Sequence, residues 1–118
     1  MKAAVIYSNG DPSVLKYEDV PDPVPGPGDV LIRVEAISIE GGDLLNRRMI
    51  PPASVPHIVG YQAGGTVVAV GDAVKAIKVG QRVAGFAFAG AYAELFCVPE
   101  HHAFVVPDGL DMQVGVTM

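Results

Sequence analysis

Residues 21–28 read PDPVPGPG, and no helix or interior strand passes through such a stretch. Its prolines lack N–H donors and hold φ at about −65°, so the segment runs extended over the surface. The rest of the chain is punctuated in the same way, with fourteen Gly and ten Pro among 118 residues. Such frequent turns favour short strands over long helices. Immediately after the proline run comes DVLIRVEAISI (29–39), the cleanest strand signal. Val30, Ile32, Val34 and Ala36 point one way, and Leu31, Arg33, Glu35 and Ile37 the other. KAAVIY (2–7) is apolar and β-branched enough for a strand, and SNGDP after it is a turn. VLKYEDV (14–20) alternates as a half-buried strand. Further strands are read in AGGTVVAVG (63–71), in two short runs flanking Gly80 in VKAIKVGQRVAGF, in AYAELFCVPE (91–100) and in AFVVP (103–107). EGGDLLNRRM (40–49) breaks the pattern as a short helix with Asp43 at its cap or in its first turn. IPPASVP (50–56) reads as loop, and GLDMQVGVTM (109–118) starts a second helix with Asp111 as N-cap. Seven or eight short strands with close-set turns predict an all-β barrel or sandwich.

Half the residues are hydrophobic, yet there is no Trp and only four Phe and four Tyr. The core is therefore mostly Val, Ala, Ile and Leu. A net charge of −5, with Arg47-Arg48 the one basic pair, leaves no continuous basic surface for nucleic acid or an anionic membrane. The apolar run at the start is too short for a signal peptide. Residues 83–93 are too short to span a bilayer and are cut by Gly85 and Gly90. A cytoplasmic protein is the natural reading. The single cysteine, Cys97, excludes an intrachain disulfide and a multi-cysteine zinc knuckle. It reads as a small buried hydrophobe in a strand.

PHIVGYQAGGTVVAVG (56–71) poses the functional question. A phosphate loop needs G-x-x-x-x-G-K-[ST], and here Gly65 precedes Thr66 and Val67. The dinucleotide fingerprint G-x-G-x-x-G does not occur anywhere in the chain. The glycines run into a strand, so no helix N-terminus faces an anion. Gly64-Gly65 then reads as a tight structural corner at the entry to that strand, where nothing larger fits.

The order of these segments is informative: KAAVIY, PGPGDVLIRVEA, a short helix, P-x-x-x-G-x-x-x-G-G-T-V-V-A-V-G, V-K-x-I-K-V-G-Q-R-V and G-A-Y-A-E. It resembles the N-terminal catalytic domain of the medium-chain dehydrogenase/reductase superfamily, in its zinc-free quinone oxidoreductase branch, over essentially the whole chain. Gln81 stands where that family usually has Asp. The resemblance implies a mainly β, GroES-like, partly open barrel with one or two short helices over residues 1–118. It also implies a separate Rossmann domain binding NADPH in the full-length enzyme, and none in this stretch. From the residues alone, a chain that continues and a short C-terminal helix that ends there are comparable; the resemblance favours a domain cut from a longer enzyme. The N-terminus MKAAVIY points to a stand-alone enzyme rather than a synthase module.

Carried over position by position, the resemblance places Glu40 where zinc alcohol dehydrogenases keep a Cys ligand. Tyr61 and Gln62 stand where those enzymes have the His and Glu of G-H-E. Zinc is therefore not expected, and His57, His101 and His102 fall off the ligand positions, the last two reading as a solvated pair. The chemistry implied is hydride transfer from NADPH to a quinone or enone. The implied catalytic residues are Tyr61, Glu40 and Asp43; the implied lining residues are Ile39, Gly41, Arg47 and Gln62. Tyr61 and Gln62 would donate to the developing oxyanion, and Asp43 would orient neighbours such as Arg47. Glu40 departs from the Asn common at its place in quinone reductases. Taken by themselves, Asp43 and Arg47 also suit a simple i, i+4 ion pair. The isolated domain is expected to bind no cofactor and to be inactive, as a monomer or loose homodimer. The alternative is a stand-alone GroES-like binding or assembly module.

Overall fold

The computed structural model describes residues 1–52 and 54–117. Ala53, in the expected loop, and Met118, at the end of the expected second helix, lie outside them. Among the described residues the chain forms eight strands: β1 (Lys2–Ile6), β2 (Lys16–Asp19), β3 (Asp29–Ser38), β4 (His57–Ile58), β5 (Gln62–Val70), β6 (Arg82–Phe86), β7 (Leu95–Pro99) and β8 (Ala103–Val105). Two helices, α1 (Gly41–Met49) and α2 (Met112–Gly115), complete it, with short 3-10 turns at Pro12–Val14 and Glu100–His102.

The strands form two antiparallel sheets, β2-β1-β4 and β7-β3-β5-β6-β8. An Ala3–Ala93 bridge joins them, with Ala4 N–H donating to the Tyr92 carbonyl at 2.8 Å. The barrel is thus partly open, as the resemblance implies. β3 is the spine, pairing with β5 on one side and β7 on the other. Its first half buries the predicted face: Val30 and Ile32 are fully enclosed, while Arg33 and Glu35 face outward. They pack with Val67, Val83, Phe96 and Val98 in the main core. That core is built largely of β-branched and small side chains, with Phe96 the largest fully buried one.

The tightest place is the β3–β5 ladder. Its register shifts between Val34 and Ala36, where β5 places Gly65 and Gly64 opposite. A Cβ at Gly65 would lie 1.9 Å from the Arg33 carbonyl oxygen, so only glycine lets the two backbones pass. The structural reading of Gly64-Gly65 holds. Met112 of α2 packs over Gly64 and seals a small second cluster with Ala84 and Val106.

Two local expectations change. Residues 74–78 are not a strand. The N–H groups of Lys75, Ala76 and Ile77 instead donate to the Glu100 carboxylate, at 3.1, 2.6 and 3.1 Å, and these bonds replace a ladder. β2 is mostly exposed rather than half-buried, because it is an edge strand paired only with β1. Just after the stretch that reads as loop, a two-residue strand, β4, forms because His57 and Ile58 find β1 as a partner. Asp111 caps α2 as expected, accepting from Gln113 N–H at 2.9 Å.

Candidate active site

β3 delivers the chain to the start of α1, and β5 begins beside it. Glu40 is the N-cap residue of α1. Its Oε1 accepts from the Ser38 hydroxyl at 2.8 Å. Asp43, three positions on, folds its carboxylate back to the Glu40 N–H at 3.0 Å, as in a capping box. Asp43 is the buried charged side chain of the core, 3% exposed. The same oxygen, Oδ2, also accepts from the Tyr92 hydroxyl at 2.9 Å, whereas Oδ1 is buried without a protein partner. Burial, and then the Asp43 carboxylate, push the Tyr92 phenol far above its usual range, so it stays a donor. Tyr92 sits close over Gly60, where a Cβ would meet its ring at 2.3 Å and the backbone has φ +108°. That position is closed to other residues.

Gly60 leads directly to Tyr61. The Tyr61 ring lies against Gly42 of α1 and meets Phe88 edge-on, with centroids 6.3 Å apart and planes at 86°. Its hydroxyl oxygen accepts from the Asn46 side-chain amide. Gln62 opens β5 between Ser38 and Phe86, and its amide donates to the Val116 carbonyl, tying β5 to the end of α2. Between Glu40–Gly42, Tyr61, Gln62 and Phe86–Phe88 lies an open cleft of about 380 Å³. A second hollow of about 440 Å³ shares Gln62 and Phe86 with it and runs along Phe104, Val105 and Gly115.

The fold thus gathers Tyr61, Glu40, Gly41 and Gln62 around one cleft, with Asp43 buried beneath. Ile39 is 66% exposed next to Glu40 and does not line the cleft. Arg47 turns away: its Nε donates to the Gly10 carbonyl at 3.3 Å, and its own carbonyl accepts from the Gly10 N–H at 2.8 Å. The i, i+4 ion pair with Asp43 is not formed, because the Arg47 guanidinium is drawn to the Gly10 carbonyl. His101 and His102 are not a solvated pair either. His102 is half-buried and stacks on Phe86, with centroids 4.3 Å apart. Cys97 is half-buried in β7, its thiol pushed up to about 11 by burial and by Asp29. Two residues that complete the site, Asn46 and Tyr92, were not picked out by sequence reasoning. G-A-Y-A-E flagged Tyr92 only as part of a segment.

The donor set does not fit zinc. The polar side chains lining the cleft are one carboxylate, Glu40, a phenol, Tyr61, and a neutral amide, Gln62, and zinc favours thiolate, imidazole and carboxylate. Among the described residues no group of three or more His, Cys, Asp or Glu is placed to hold a metal. The sequence carries no G-x-G-x-x-G fingerprint for a dinucleotide's phosphates.

Residues 26–108 match the alcohol dehydrogenase GroES-like domain. The chain belongs to this family, within the medium-chain dehydrogenase/reductase superfamily. It is 39% identical to a quinone oxidoreductase of Pseudomonas aeruginosa over 106 residues, covering 88% of this chain and 33% of that one. It is 32% identical over 112 residues to the synaptic vesicle membrane protein VAT-1 homolog-like of Mus musculus, covering 93% and 27%. Its backbone follows that of the Escherichia coli quinone oxidoreductase solved in complex with NADPH, with a TM-score of 0.92 and 27% identity, over 98% of this chain and 36% of that one. The chain therefore spans about a third of the length of the relatives it matches. No helix among the described residues is long and apolar enough to cross a membrane.

Proposed function

We propose that this chain is the acceptor-binding domain of an NADPH-dependent reductase that acts on a conjugated carbonyl, a quinone or enone, without zinc. The observation that carries this reading is the Tyr61 hydroxyl at the cleft. Its oxygen already accepts from Asn46, so its own proton remains to be donated. A phenol held in this way suits a carbonyl oxygen that gains negative charge as hydride arrives at the conjugated carbon. NADPH, when bound to the full-length enzyme, would supply the hydride. In this reading Phe86 and Phe88 thin out water around the acceptor, and Gln62 adds its second amide proton. The buried Asp43–Tyr92 pair holds the Glu40–Gly42 turn in place. In this reading the nucleotide's phosphates are held by a separate domain of the full-length enzyme.

The test is NADPH oxidation by the full-length enzyme, assayed against panels of quinones and enones. Turnover with at least one acceptor is expected, with Tyr61→Phe lowering kcat/KM by roughly tenfold to a hundredfold. No turnover with any acceptor contradicts the reading. A second reading, an assembly module without enzymatic activity, draws on the exposed apolar strip of Phe86, Phe104 and Val105. A closed ring on a sizing column would favour it. A monomer or loose dimer would favour the reductase domain.

A further inference from the structure

One formally charged side chain lines the cleft, and a second carboxylate, Asp43, lies buried beneath it, tied up by the Tyr92 hydroxyl and the Glu40 N–H. Glu40 lies on its rim, and the other residues lining it, from Gly41 and Gly42 to Tyr61, Gln62 and Phe86, are neutral. Among the described residues no Lys or Arg lines the cleft to balance the carboxylate. Arg47, on the same helix, is held by the Gly10 carbonyl. The ion pairs among the described residues, Met1 with Asp22 and Lys2 with Asp19, are elsewhere. The side-chain donor to Glu40 is the Ser38 hydroxyl, which brings no charge. The N-terminus of α1 offsets part of the negative charge, equivalent to about half a unit. A net negative field at the rim remains.

We infer that Glu40 is a specificity determinant: the cleft admits neutral planar carbonyl compounds and turns away those of the same shape that carry a carboxylate. This rests on reading the cleft as an acceptor site. The mechanism is Coulombic. A carboxylate ligand in an open cleft this size sits several ångströms from Glu40 at the protein surface, where the effective dielectric is about 20. After the helix's offset, the repulsion amounts to roughly three- to tenfold in affinity at low salt. It shrinks as added salt shortens the screening length. Packing or hydrogen-bond effects of Glu40 would not vary with salt in this way.

The experiment is a titration of the 118-residue chain, monitored through the backbone amides of Gly41, Gly42, Tyr61 and Gln62 by NMR. The probes are benzamide and benzoate, which match in shape and differ in charge. Benzamide is expected to shift these amides with an affinity three- to tenfold above that of benzoate at low salt, and the gap closes in about 0.5 M salt. Glu40→Gln keeps an acceptor for Ser38 and is expected to bring the two probes within twofold. Asp72→Asn makes the same change in net charge on an exposed turn away from the cleft, and it leaves the contrast as it was. Equal binding of the two probes by the unaltered chain overturns the inference. So does a contrast that survives Glu40→Gln or vanishes in Asp72→Asn, and so does failure of both probes to move the cleft amides. Absence of NADPH turnover in the full-length enzyme, with the binding contrast intact, would instead overturn the reductase reading alone.

Discussion

The β3–β5 seam and the rim of the cleft are adjacent, yet different forces hold them. At the seam two backbones pass so closely that Gly65 has no room for a single carbon. At the rim, α1 and Tyr61 are positioned by side-chain hydrogen bonds that run over long sequence distances: Asn46 to Tyr61, Tyr92 to Asp43, and Gln62 to Val116. Steric exclusion leaves the seam one arrangement. The rim has a set of individually modest bonds around an open cavity, which suits a surface that admits ligands. A glycine-rich segment is therefore not a flexible one here. The glycines make the rigid part.

Substitutions should separate the two regions. Gly65→Ala is the most disruptive, since its Cβ meets carbonyl oxygen rather than a movable side chain. It should cost about 3 kcal/mol or more, or prevent folding, as read by urea denaturation. Tyr92→Phe keeps the ring over Gly60 but removes the hydroxyl donor to a buried carboxylate that already has one unpartnered oxygen. A loss of about 1–3 kcal/mol is expected in the same assay, together with exchange broadening at the amides of residues 40–43. An unchanged midpoint would show that the rim does not depend on this bond.

The clip at Glu100 should respond to acid. Backbone donors, Ala76 first, hold its carboxyl below the usual range. A group whose folded pKa is depressed contributes stability that is present above its unfolded value and lost as pH falls through the folded value. The unaltered chain should therefore lose stability relative to Glu100→Gln as pH drops below about 4.5, with the largest difference near neutrality. Parallel pH profiles would show that the clip contributes nothing. The smallest effect belongs to the rim's other glycine. A Cβ at Gly41 meets nothing within 4 Å, so Gly41→Ala should change stability by less than about 0.5 kcal/mol.

The features legible in the sequence and those hidden from it divide along the same line. Period-two alternation located β3 and its buried face because both depend on the neighbouring residues. The glycine pair announced the seam because a close approach leaves its mark at the position itself. Residues 74–78 looked like a strand, and their true partner, the Glu100 carboxylate, lies more than twenty positions away. Tyr92 and Asp43 are separated by 49 positions. Nothing local tells that this tyrosine is the one that reaches the buried carboxylate. Arg47 illustrates the opposite error: helical spacing suggested a partner in Asp43, and tertiary contacts supplied Gly10 instead.

One assay decides whether the cleft works without zinc. The full-length enzyme is dialysed exhaustively against a chelator, and NADPH oxidation with a conjugated ketone is compared before and after. With Tyr61, Gln62 and Glu40 in place of a metal-binding set, the rate should be unchanged by chelation and by added zinc. Activity that disappears on chelation and returns with zinc would contradict the zinc-free reading.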